Sequence, residues 1–235
     1  MTNTSTNTNT ANTDDVYMTR HGARADREIY NWKPLPGHQR DDTELSQGGL
    51  QSSEQLADRL ASPSPSAAAA ATANIDHIIS SPFYRCVQTV APLAKRLQLP
   101  IKIEPGLCEV LTTFPPGFWS TEDLAQDFPI DLDYKPVLSR DQLKREVGDG
   151  QAAARARRVS LELRHRLSGT MLFCGHGASC LGIAQAFGGA HDYVGYSSIS
   201  HFTFDFDGQK WNNVLLGDVS HLPEPLRQQS INSAW

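Results

Sequence analysis

Short apolar runs set off by turn residues recur along this chain, and several end where charged chemistry begins. Val16-Tyr17-Met18, Ile75-Asp76-His77-Ile78-Ile79, Ile101-Lys102-Ile103 and Met171-Leu172-Phe173-Cys174 have the length and side-chain type of buried strands. Between them the period lengthens to that of a helix. Val87, Val90, Ala94 and Leu97 make one apolar stripe, and Ala156, Val159, Leu163 and Leu167 make another, predicting a helix over 151–167. A helix ending near Leu60 and one over 178–187 complete the alternation. Further on, His201-Phe202-Thr203-Phe204-Asp205-Phe206 alternates as a half-buried strand does. Asp207-Gly208 then turns the chain into 211–216, an antiparallel hairpin at a sheet edge. The tail from Pro223 has little pattern. Strands interleaved with helices predict an α/β fold, a three-layer α/β/α domain with a mostly parallel central sheet and an antiparallel edge.

Three stretches fall outside this rhythm. Residues 1–13 are a Thr/Asn repeat without apolar periodicity, expected to be disordered because they bury too little to offset the entropy of ordering. Residues 61–74, Ser-Pro repeats followed by an alanine run, read as a low-complexity connection. Residues 111–149 hold Phe114-Pro115-Pro116-Gly117-Phe118-Trp119, Phe128 and Tyr134, too aromatic for disorder and too irregular for a regular element. That stretch reads either as a cap over an apolar leaving group or as a set of rings sealing the core. The remainder, 14–235, is one domain: 235 residues at 39% hydrophobic content supply one substantial core.

Composition then narrows the chemistry. With 21 basic against 26 acidic residues the formal charge is −5, so no broad basic surface awaits a nucleic-acid backbone and any anion must be bound locally. No apolar run approaches the roughly 18 residues of a membrane span, and the first residues are polar, which predicts a soluble protein of the cytoplasm or nucleus. The cysteines at 86, 108, 174 and 180 read as small buried hydrophobes of a reducing compartment. Cys174, His176, Cys180 and His191 lie close in sequence, but no Cys-x-x-Cys pair occurs and a zinc site is not expected.

The candidate chemistry sits at strand ends. Thr19-Arg20-His21-Gly22-Ala23-Arg24 places an imidazole between guanidinium groups whose planar forks match phosphate oxygens, the layout of phosphoryl transfer through a phosphohistidine. Cys174-Gly175-His176-Gly177 repeats the strand-to-His-Gly turn, and Ser80-Ser81-Pro82-Phe83-Tyr84-Arg85 carries Arg85 into the first turn of a helix. Arg85 could be an ordinary solvated residue of an amphipathic helix. Its place at the helix start favours an anion instead. In an open α/β sheet ligands collect beyond the carboxyl ends of the strands, so His21, Arg85 and His176 should converge.

These motifs resemble the histidine phosphatase superfamily, the phosphoglycerate-mutase-like fold, over about residues 15–215. Within it, His-Gly-Ala-Arg-Ala-Asp, Ser-Pro-Phe-Tyr-Arg-Cys-Val-Gln-Thr and Gly-Leu-Cys-Glu look most like the phosphatase domains of ubiquitin-associated, SH3-containing phosphatases and a related transcription factor IIIC subunit. The resemblance implies a metal-independent hydrolase of phosphomonoesters, some relatives acting on phosphotyrosine, with no cofactor. It further implies that His21 is phosphorylated, that Arg20, Arg85 and His176 hold the phosphoryl oxygens, and that Arg24 lines the pocket. Glu109 falls where this branch keeps its acid, although Val110 follows where relatives often have Trp. The rival acid is Asp192, by analogy with a branch that uses a His-Asp pair, but His191-Asp192 follows the helix-ending Gly188-Gly189-Ala190 rather than a strand. A mutase is disfavoured because Arg24, Asp26 and Arg27 stand where mutases usually carry Asn. A degenerate phosphate-binding or assembly module and a phosphatase of small metabolites are the other readings, and a homodimer or protein partner is compatible with each.

Overall fold

The computed structural model describes residues 15–61, 73–189 and 194–233. The Thr/Asn tail over 1–13, nearly all of the 61–74 connection, and the rival acid Asp192 lie outside the described residues. In chain order the elements are β1 (Val16–Arg20), α1 (Ala25–Glu28), α2 (Gln47–Ala61), β2 (Ile75–Ser80), α3 (Tyr84–Leu97) and β3 (Ile101–Ile103). Then come α4 (Thr121–Leu124), α5 (Asp149–Arg166), β4 (Thr170–Gly175), α6 (Gly177–Ala186), β5 (Ile199–Asp205), β6 (Lys210–Asp218) and α7 (Glu224–Asn232).

The strands form a single sheet in the order β3-β2-β4-β1-β5-β6, parallel from β3 to β1 and antiparallel through β5 and β6. Successive side chains of a strand point to opposite faces, and here both faces are covered, which is why the inner strands read as unbroken apolar runs. Tyr17, Ile78 and Leu172 pack beneath α2 and α3 with Leu56, Leu60, Val87, Val90 and Leu93. Val16, Met18, Ile79, Met171 and Phe173 pack on the other face beneath α5 and α6, with Ala156, Val159, Leu163 and Ile183. The result is the expected α/β/α sandwich with its antiparallel edge. Helices α5 and α6 meet at Gly182, where any Cβ would run into the Ala153 carbonyl oxygen.

Two features depart from the pattern along the chain. The tail folds as α7, a mostly polar helix whose Leu226 and Ile231 make no apolar stripe to read; it is capped by Pro223 and buries Ser230. The stretch 111–148 is irregular apart from α4 and one turn of 3-10 helix at Arg140–Gln142, but most of its rings face inward. Phe118, 4% exposed, packs with Phe83, Cys108, Leu111 and Leu143. Trp119 lies against His38 and Tyr84 at ring separations of 4.1 and 5.7 Å, and its Nε1 donates to the Gly37 carbonyl. Phe114 remains 44% exposed. All four cysteines are free and buried, and Cys174 and Cys180 belong to cores on opposite faces of the sheet. No helix among the described residues is long and apolar enough to cross a membrane.

Candidate active site

Adjacent parallel strands β1 and β4 end together, Arg20 beside Gly175, and the two histidines follow them. His21 N donates to the Gly175 carbonyl at 3.0 Å, which ties the first turn to the second. The rings of His21 and His176 lie 5.2 Å apart in an edge-to-face arrangement. Gly22 has no room for a side chain, since a Cβ would press on the Gly49 backbone of α2, and its N–H donates to Thr89 Oγ1 of α3.

Each ring nitrogen of the pair has a defined state. His21 Nδ1 donates to the Gly22 carbonyl at 2.7 Å, so the neutral ring carries its proton there and keeps a lone pair on Nε2. Burial, followed by the positive charge of Arg85 and Arg20, holds the His21 pKa well below the ordinary imidazole value, although the Gly22 carbonyl opposes the shift. His176 is neutral for the same leading reasons, burial and then Arg85. Arg85 Nη2 is a donor only, so at 3.2 Å it meets the unprotonated Nδ1, and His176 Nε2 donates to Ser81 Oγ at 2.8 Å.

Arg85, 1% exposed, is the cation of the site. Its Nη1 donates to the Asp41 carbonyl, its Cζ lies 4.6 Å over the Phe83 ring, and its Nε has no partner among the described residues. The residue sits in the first turn of α3, whose N-terminus is capped from a distant segment: Asp42 Oδ1 accepts from Tyr84 N at 2.7 Å. Burial pushes the Asp42 carboxyl up to about 7, against the pull of that amide and of Arg85.

The remaining candidates approach from the rim. Glu109, with 31% of its side chain exposed, brings Oε2 to 3.5 Å from His176 Nδ1 and 3.9 Å from Arg85 Nη2, while Oε1 accepts from Val110 N at 3.1 Å. Arg20 donates through Nη1 to the carbonyls of Val194 and Ser233, stacks on Tyr196 at 4.6 Å, and leaves Nε without a partner among the described residues. Tyr196 also flanks His21, at a ring separation of 5.4 Å. Arg24 forms a fork with Asp26 at 2.9 and 2.7 Å, and its charge is felt at both histidines. His21, His176, Arg85 and Glu109 thus meet directly, Arg20 adjoins them through Tyr196, and Arg24 stands near enough for its charge to act while held by its own acidic neighbour.

Donor atoms of His21, Glu109 and His176 all lie within 4.8 Å of one another, a spacing that would admit a cation. The setting fits one poorly, because buried Arg85 touches two of the three donors and its charge repels a metal ion. What the three donors and the arginines can do together is surround a tetrahedral anion, with a nucleophilic nitrogen on one side and a carboxyl group near the exit.

Several residues of this pocket were not picked out from the sequence. Ser81 belongs to the Ser-Ser-Pro turn already noted, and its neighbourhood with His176 follows from β2 lying beside β4. Asp41, Asp42 and Tyr196 lie in segments without regular pattern, and their roles depend on contacts across 34 or more sequence positions.

Residues 16–218 match the family model described as histidine phosphatase superfamily (branch 1). The chain is 30% identical over 188 residues to the ecdysteroid-phosphate phosphatase of Drosophila melanogaster, which covers 68% of this chain. It is 32% identical over 132 residues, 53% of this chain, to the transcription factor tau 55 kDa subunit of Saccharomyces cerevisiae. It spans about a quarter of the length of each of these curated relatives. Among solved structures, ecdysone phosphate phosphatase from Bombix mori, in complex with tungstate, superposes with a TM-score of 0.65 at 20% identity, covering 89% of this chain and 95% of that one. Phosphoserine phosphatase from Entamoeba histolytica does so with a TM-score of 0.57 at 19% identity, covering 89% and 99%. The motifs at His21, Arg85 and His176, the strand order that joins them, and the match over residues 16–218 agree: this chain belongs to the histidine phosphatase superfamily, branch 1.

Proposed function

We propose that this domain is a phosphoric monoester hydrolase working through a phosphohistidine on His21. The observation that carries the reading is the Nδ1–H bond of His21 to the Gly22 carbonyl, which leaves a neutral Nε2 lone pair in a pocket walled by Arg20, Arg85 and His176. In the first step Nε2 bonds to phosphorus as the phosphorus–oxygen bond to the leaving group breaks. Glu109, in its acid form, gives its proton to the departing oxygen. In the second step the Glu109 carboxylate takes a proton from water, the hydroxyl attacks phosphorus, and the phosphorus–nitrogen bond breaks to release phosphate.

Arg20 and Arg85 stabilise the equatorial oxygens, work that magnesium does in kinases, and His176 joins them as a donor at Nδ1 once the bound anion draws a proton onto that ring. The Nε–H groups of Arg20 and Arg85, buried and without a partner among the described residues, become donors to an anion once the side chains turn toward it. Arg24 joins this lining by sharing its fork between Asp26 and phosphate. An aryl phosphate, phosphotyrosine included, is the proposed leaving-group class, supported by the Tyr196 ring beside His21.

The tau subunit relative makes a non-catalytic module the competing reading. Rapid denaturation during turnover of labelled p-nitrophenyl phosphate in chelator separates the two. Acid-labile, base-stable phosphate should appear on the wild type and be missing from His21→Ala, whose turnover falls by a factor on the order of 10³ or more while its circular dichroism shows the fold intact. Equal labelling of both proteins, or of neither, refutes the assignment of His21.

A further inference from the structure

Beyond β3 the loop over 106–111 runs against a buried ion pair. Arg155, on the inward face of α5, meets Glu146 in a two-bond fork, Nε to Oε1 and Nη2 to Oε2, both at 2.8 Å. Neither side chain is more than 9% exposed. The guanidinium also donates to three carbonyls of one loop: Nη1 to Gly106 at 2.8 Å, both Nη atoms to Cys108 at 3.2 Å, and Nη2 to Glu109 at 3.1 Å. Glu146 closes the far side, its Oε2 accepting from Leu111 N at 3.2 Å while its backbone N–H donates to the Leu111 carbonyl at 3.1 Å. Every backbone group bound lies within three residues of Glu109, on both sides of it.

We propose that the Arg155–Glu146 pair is a positioning device for the acid, fixing the backbone of Glu109 so that its carboxyl reaches His176 and the leaving oxygen. The inference rests on the reading of Glu109 as that acid. Glu109 itself is tied down weakly: its Oε1 accepts only from the next residue's amide, and its other oxygen stands 3.5 Å or more from its neighbours. The side chain therefore has little to aim it beyond the backbone it hangs from. A pair placed only to hold α5 against the sheet would not need to grip the carbonyl of Glu109, since Val159, Ala156 and Leu163 already supply that packing. An acid displaced by even about an ångström loses much of its effect, because proton transfer needs hydrogen-bond distance in the reacting complex.

The test uses variants that keep the interior neutral or paired. Removing one partner alone strands a buried charge and risks the fold, so Arg155→Met with Glu146→Leu is made as a double variant, alongside Arg155→Lys. Each is measured with p-nitrophenyl phosphate, whose leaving group hardly needs a proton, and with phenyl and alkyl phosphates, which do. The expected result is a fall in kcat/KM on the order of 10-fold or more for the poor leaving groups, with p-nitrophenyl phosphate changed by no more than about 3-fold. Arg155→Lys, which keeps the charge but not the fork, should fall between the double variant and the wild type. Equal losses for both substrate classes in the double variant and in Arg155→Lys, while Glu109→Gln keeps its own selectivity, overturn the positioning role. If Glu109→Gln itself shows no selectivity, the acid assignment fails first and the inference with it.

Discussion

Glu104 and Glu109 are five residues apart, one on the sheet edge and one on the pocket rim, and the protein treats the two carboxyl groups in opposite ways. Glu104, fully buried, accepts from Gly106 N, Tyr134 Oη, Val137 N and Leu138 N, at 2.6 to 3.2 Å. Burial raises its pKa even so, with those four donors pulling the other way. Its lone pairs are used up, which makes it a clamp that ties residues 134–138 to the end of β3. Glu109 accepts one hydrogen bond, faces a histidine and an arginine, and is open to water. A carboxyl saturated with donors holds structure. One left unsaturated beside a cationic pocket can move a proton.

The sharpest break of this comparison is to remove the phosphate-facing charge that both halves of the chemistry share. Arg85→Ala should lower kcat/KM by roughly 2–4 kcal/mol of transition-state stabilisation for every leaving group, because the equatorial oxygens carry the same charge whatever departs. Glu109→Gln should behave otherwise, sparing p-nitrophenyl phosphate and slowing alkyl phosphates on the order of 10²-fold. Kinetics across a leaving-group series decides: parallel losses in the two variants would mean that Glu109 acts as one more electrostatic wall.

Glu104→Gln gives the counterpart on the structural side. The amide offers one acceptor where the carboxyl offered two, so part of the set at Tyr134, Val137 and Leu138 is stranded inside the protein. An orphaned buried donor costs about 1–3 kcal/mol. The expected outcome is a lower denaturant midpoint with the leaving-group dependence of the wild type. A selective loss on alkyl phosphates would show that the clamp also aims Glu109.

How much of this could be read beforehand depends on how local each feature is. Three buried strands ending in His21, Ser81 and His176 announce themselves through short apolar runs, and the topology rule for open sheets then places their ends together. The meeting of His21, Arg85 and His176 was therefore legible. The pairing of Arg24 with Asp26 was not legible, because it depends on loop geometry. Helix α7 escaped because a polar helix docked through Ser230 and Ser233 has no stripe to betray it. Phe118 and Trp119 were ambiguous by nature: an aromatic run looks the same whether it covers a ligand or a core, and the answer lay in Phe83, His38 and Tyr84, far away in sequence. The Arg155–Glu146 pair was invisible for the same reason, as arginine on a predicted amphipathic helix reads as solvated surface.

A smaller effect contrasts a third carboxyl with these two. Asp42, buried at the N-terminus of α3, has one oxygen on Tyr84 N and the other without a hydrogen-bond partner, 3.8 Å from His38 Nδ1. Its folded pKa of about 7 lies above the ordinary value of 3.8, so the native state binds a proton that the unfolded chain releases. The stability this group contributes is fully present below pH 3.8 and is lost as pH rises through about 7. His21 and His176, whose folded pKa values are depressed, act in the opposite direction, with stability lost as pH falls below about 6.5. Asp42→Asn keeps the acceptor for Tyr84 N and removes the titration, so it should raise the melting temperature relative to wild type at pH 8 and change it little at pH 5. The gain is limited by the lost attraction to Arg85, which makes a few degrees the expected scale, on the order of 1 kcal/mol. Melting curves at the two pH values check it, and a variant less stable than wild type at pH 8 would mean that Asp42 works ionised, as a partner of Arg85, rather than as a neutral cap.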